Sequence, residues 1–95
     1  MNENEKNEKK VFDFTKVSIE VEFEKFEEVN VSKLVGNTIH INTADIGVDD
    51  LARKIYHEGK AEISDENIRK QIVAIVMQSG IIAPVKLALK KLLED

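Results

Sequence analysis

The sequence has no cysteine and no tryptophan. Without thiols it has no disulfide, no thiolate chemistry and no cysteine-bound zinc. Secreted domains of this size often lean on disulfides, so the absence favours a reducing compartment, and a cytoplasmic protein is expected. Aromatics are scarce, at four Phe and one Tyr, which leaves the core to Ile, Val and Leu. No apolar stretch approaches the roughly 18 residues that span a bilayer, so no membrane association is expected. The opening stretch MNENEKNEKK lacks the apolar segment of a secretory signal. Basic residues are also in deficit: 14 Lys and Arg against 18 Asp and Glu give a net charge of −4. That balance argues against nucleic acid, whose phosphates recruit Lys and Arg, while leaving room for a local basic patch.

What is present suits one small domain. Of 95 residues, 42 % are apolar and 34 % charged, enough for a single modest core. Residues 1–10 have Met1 as their one apolar side chain and cannot offset the entropy of ordering. They are expected to be a solvated tail, with the domain over 11–95. From Val17 to Phe23 apolar and polar residues alternate. Val17, Ile19, Val21 and Phe23 share one face and Ser18, Glu20 and Glu22 the other, the pattern of a half-buried strand. Phe26 to Val29 follows Glu24-Lys25 and completes a hairpin. Val11, Phe12 and Phe14 suggest a third short strand, broken off at Thr15 and Lys16.

The remainder reads as helical. Over 31–42, a strand explains two apolar positions. A helix gathers Val31, Leu34, Val35, Ile39 and Ile41 on one half of its surface, so the helix is preferred, with Asn30 as its cap. Asp45 caps the next helix, whose stripe is Val48, Leu51, Ala52, Ile55 and Tyr56 and whose stop is Gly59. Ala61 to Ile63 reads as an extended link. Ser64 is expected to cap a third helix ending near Gln78, before Ser79-Gly80. Pro84 fits the first turn of a fourth, ending near Leu93. Strands first and helices after define an α+β fold: an antiparallel hairpin or meander packed on about four helices.

The last two helices carry more apolar residues than one core face needs. Ile68, Ile72, Ile75 and Val76 form one stripe of the third helix, while Val73 and Met77 fall on its far side. Leu87 points away from the stripe of Val85, Ala88, Leu89, Leu92 and Leu93. Two readings follow. In one, the third helix is central and wrapped on several sides. In the other, Val73, Met77 and Leu87, with Ile81 and Ile82, form a patch covered by a second copy or another protein.

Motifs for chemistry are absent. There is no GxSxG, GxGxxG or P-loop pattern, and the four glycines are scattered. His40 and His57 fall opposite the apolar stripes of their helices and read as exposed. Asp50 beside His57 is more simply a surface neighbour than the orienting partner of a base. Asp45, Asp49 and Asp50 match neither an EF-hand nor an HExxH helix and suit capping and the helix dipole. No catalytic residue, metal site or cofactor is therefore expected. Lys86, Lys90 and Lys91 make a modest basic patch on the last helix, the one feature that suits nucleic acid.

The run VSKLVGNTIH (31–40), followed by DIGVDDLARKIY (45–56), resembles short uncharacterised proteins encoded in prophage-like or mobile regions of gut bacteria. That resemblance implies an accessory or assembly role in a phage-like module and brings no functional residues with it. The expectation is a non-enzymatic interaction module working through its C-terminal helices. The alternative is a mobile-element accessory protein with weak DNA association through the lysines.

Overall fold

The computed structural model describes residues 10–94. The expected tail, apart from Lys10, lies outside the described residues. Lys10 itself is part of the fold: its carbonyl accepts from the Ile63 N–H at 2.8 Å. The architecture is α+β, with four short strands and four helices among the described residues. The strands are β1 (Val11–Asp13), β2 (Val17–Glu22), β3 (Lys25–Val29) and β4 (Lys60–Glu62). The helices are α1 (Ser32–Asn42), α2 (Ile46–Glu58), α3 (Glu66–Gln78) and α4 (Ala83–Glu94).

Antiparallel β2 and β3 form the expected hairpin, but β1 does not join it. Instead β1 pairs antiparallel with β4, the segment that reads as a link in the sequence. A three-residue strand carries too little pattern to name its partner. Here the partner is selected by the junction at Phe14, which is fully buried. The Phe14 N–H donates to the Gly59 carbonyl at 2.7 Å, and its own carbonyl accepts from Val31 at 2.9 Å. One residue thus ties together the start of β4, the start of α1 and the chain entering β2.

The alternation in β2 also ends early. Val17 and Ile19 are buried, whereas Val21 is exposed and Phe23 is 96 % exposed. The register explains this. Glu20 faces Phe26, but Glu22 faces Lys25, so β2 carries one extra residue, a bulge at Val21. Past the bulge the hairpin leaves the core, and Glu24 closes the turn in the left-handed region with φ 67°.

Helix α1 confirms the helical reading of 31–42, with Val31, Val35 and Ile39 buried. Leu34 and Ile41, assigned to the same stripe, are exposed. Their place on the inner surface is taken by Ser32, Gly36 and Thr38. The cap stands one residue later than expected, at Val31. Asn30 still serves the terminus by accepting from the Ser32 N–H at 3.0 Å. Helix α2 starts and stops as read: Asp45 accepts from Gly47 and Val48, and Gly59 is left-handed with φ 77°. Helix α3 is capped by Asp65, which accepts from Asn67 at 2.8 Å. Ser64, the expected cap, donates to Glu62 instead. The core runs from Phe14, Val17 and Ile19 through the inner faces of all four helices to Leu89 and Leu93. Among the described residues, no helix is long and apolar enough to cross a membrane.

Candidate functional site

Helix α4 packs along β2 and against α3. Its buried residues are Val85, Leu89 and Leu93, so its contact with the domain is the i, i+4, i+8 line. Leu87 stands off that line and is 61 % exposed. Phe26, opposite Glu20 on β3, is 62 % exposed and lies on the strand face that the glutamates were expected to keep polar. Leu87 and Phe26 both line a groove of about 510 Å³ between hairpin and helix. Its floor and walls include Val17, Pro84, Ala88 and Leu92, and its polar rim includes Lys16, Glu20 and Lys91. Phe23 at the hairpin tip and Ile82 just before α4 are exposed as well.

The other residues singled out by excess hydrophobicity are placed differently. Val73 is half-buried, packs against the core and borders a separate groove between α3 and α4, with Arg69, Lys70 and Leu93. Met77 is half-buried on α3. Ile81 is buried. Val73 and Leu87 therefore line different grooves. Most of the surplus on α3 is taken up inside the domain, and that on α4 is not. Phe23 and Phe26 were not singled out from the sequence, because the alternation assigned Phe23 to the core. Its position beside a turn was the available signal.

The three lysines of α4 occupy distinct settings. Lys91 is exposed on the groove rim, and Lys86 is half-buried. Lys90 donates to Glu94 one turn on at 3.0 Å. The hairpin residues 17–29 include Glu20, Glu22, Glu24, Glu27 and Glu28 against Lys25. Of the charged residues, Lys16, Glu20 and Lys91 line the groove itself.

A second, polar concavity of about 190 Å³ lies between α1 and α2. His40 and His57 both line it, with Asn37, Asp49, Arg53 and Tyr56. The partner of His40 is Asp49 across the helix pair, Nδ1 to Oδ1 at 2.5 Å. Asp49 also receives Arg53 at 3.5 Å. A carboxylate only accepts, so the proton sits on Nδ1 and Nε2 is left to other partners. Sequence spacing hid this pair, since its members are nine residues apart on different helices. Among the described residues, no group of three His, Asp or Glu is placed to hold a metal ion.

Comparison with protein-family models, with curated proteins and with solved structures found no match to this chain.

Proposed function

We propose that the protein is a non-enzymatic interaction module that associates with a second copy of itself through the groove between the β2–β3 hairpin and α4. The observation that carries this reading is the meeting of Phe26 and Leu87, both more than half exposed, in one groove. Isolated exposed apolar residues need no explanation, but two that line one groove do. The glutamate-rich hairpin and the lysines of α4 favour a second copy as the occupant. A two-fold axis brings the same patch of each subunit together. It can then set the glutamates of one hairpin against Lys86, Lys90 and Lys91 of the other copy's helix, while the aromatic and aliphatic side chains meet in between.

Burying Phe23, Phe26 and Leu87 contributes roughly 1.5–3 kcal/mol each. Lost translational and rotational freedom costs on the order of 4–15 kcal/mol. The two ranges overlap, so the dimer is expected to depend on concentration. Sedimentation velocity across a concentration series tests it. The wild type is expected to shift toward twice the monomer mass. Leu87→Glu and Phe26→Glu, both at exposed positions, are expected to remain monomeric with unchanged circular dichroism. A wild type that stays monomeric at the highest concentration reached would overturn the reading. The accessory role implied by the phage-like resemblance is compatible with such a dimer. DNA association is less favoured, because Lys90 is engaged by Glu94 and the glutamate-rich hairpin borders the patch.

A further inference from the structure

Strand β3 is an open sheet edge. Its one partner strand among the described residues is β2, whereas β2 has both β3 and the packed helix α4. Among the described residues, no further backbone hydrogen bond reaches Lys25–Val29. An antiparallel strand bonds its two neighbours through alternate residues, so the other N–H and C=O groups of β3 point outward with no chain to meet them. The strand is exposed almost throughout: Lys25, Phe26, Glu27 and Glu28 are exposed and Val29 is half-buried.

The charge of this edge has one sign. Glu27 and Glu28 follow each other on the strand. Lys25 is the one cation of residues 17–29 and lies 3.6 Å from Glu22, which leaves Glu27 and Glu28 without a cation on the hairpin. Successive strand residues point to opposite faces, so an added strand meets a carboxylate on each face. Phe26 is 62 % exposed and shares its face with Glu28. A second copy of the same edge is a poor occupant. The two central antiparallel registers set Glu27 on Glu27 or Glu27 on Glu28, and like charges directly opposite are destabilising. The charge that blunts self-pairing favours a segment of opposite charge.

We infer that β3 is a docking edge for an extended basic segment of another protein, which adds to the sheet as a further antiparallel strand. Ladder hydrogen bonds hold the segment, and its side chains select it. Read from its N-terminus, the residue opposite Glu28 comes first, then the one opposite Glu27, then the one opposite Phe26. The segment that fits is two consecutive Lys or Arg followed by a β-branched or aromatic residue. The backbone edge of β3 and the side chain of Leu87 are different contacts, so docking here does not require the dimer.

The test is a titration of isotope-labelled protein with the capped peptide Thr-Thr-Lys-Lys-Val-Thr-Thr, followed by amide NMR and hydrogen exchange. One control peptide has Glu in place of both Lys. The other is N-methylated at Lys-Lys-Val, which keeps the charges and removes ladder donors. Saturable shifts centred on residues 25–29, with slowed exchange of β3 amides, are expected with the parent peptide and with neither control. Glu27→Lys combined with Glu28→Lys changes exposed side chains, so it is expected to fold and to weaken binding by roughly tenfold. Leu87→Glu is expected to bind as the wild type does. The inference is overturned by the absence of saturation with the parent peptide, by shifts that map away from β3, or by equal binding of the N-methylated peptide. Full affinity in the double variant, or loss of binding in Leu87→Glu, overturns it as well.

Discussion

At the scale of single residues, Asp13 is held in place by its neighbour Thr15. It closes the bend after β1, accepting from the Thr15 hydroxyl at 2.5 Å and from the Thr15 N–H at 2.8 Å. These bonds, the hydroxyl first, hold its carboxyl below the ordinary aspartate value of 3.8. A depressed folded value means that the unfolded chain binds the proton more readily. Asp13 therefore adds stability above its unfolded pKa, and that contribution is lost as pH falls through the unfolded and then the folded value. Urea midpoints measured from neutral pH to about pH 2 should fall on the acid side of about pH 4. In Asp13→Asn, which keeps an acceptor without a charge, that limb should be shallower. Parallel curves for the two proteins would assign the acid sensitivity to other groups. The bend was legible in the sequence as a break at Thr15, but the aspartate that shapes it was not, because an Asx-type bond leaves no periodic signal.

At the scale of elements, the α1–α2 pair is governed by Gly36. The residue weakens α1 as an isolated helix, by roughly 0.5–1 kcal/mol relative to Ala. In the fold it lets α2 approach until its backbone is in contact. Gly36→Ala should recover the helix term, but overpacking costs about 1–3 kcal/mol, and packing wins. A net loss of about 1 kcal/mol is expected, lowering the melting temperature by roughly 4–8 °C. Calorimetry checks it, and a rise in melting temperature would show that the helices separate freely. Helix existence was legible throughout, because apolar spacing, Asp45, Gly59 and Pro84 are local signals. Helix faces were less so. In α1 the large residues Leu34 and Ile41 are outside while Ser32, Gly36 and Thr38 are inside. Close approach favours small side chains there, and a count of apolar positions does not register that preference. Caps shifted for a similar reason: Asp65 reaches the N–H of Asn67 while Ser64 is drawn to Glu62 of the preceding strand.

At the scale of the whole molecule, apolar exposure and charge are unevenly distributed. The hairpin beyond its bulge and the outer face of α4 keep Phe23, Phe26 and Leu87 accessible. If two copies join at the hairpin–α4 groove, dimerisation is linked to folding, and apparent stability rises with concentration. The wild-type melting temperature should increase across a hundredfold dilution series read from dilute to concentrated. That of Leu87→Glu should stay constant. A concentration-independent wild type would argue for a monomer in which the groove is filled by some other partner.

The sequence by itself determined the class of fold, the helices, most of their ends, and the presence of surplus apolar surface on the last two of them. These are short-range properties: a cap, a stop or a period is written within a few residues of chain. Only the tertiary structure decided that β1 pairs with β4, and that past a bulge at Val21 the strand leaves the core and Phe23 is exposed. It also decided that Val73 is drawn to the core margin while Leu87 is not, and that His40 finds Asp49. Each of those outcomes depends on segments distant in sequence competing for the same contacts. The winner is set by close packing of the whole chain, of which no local window contains enough to tell.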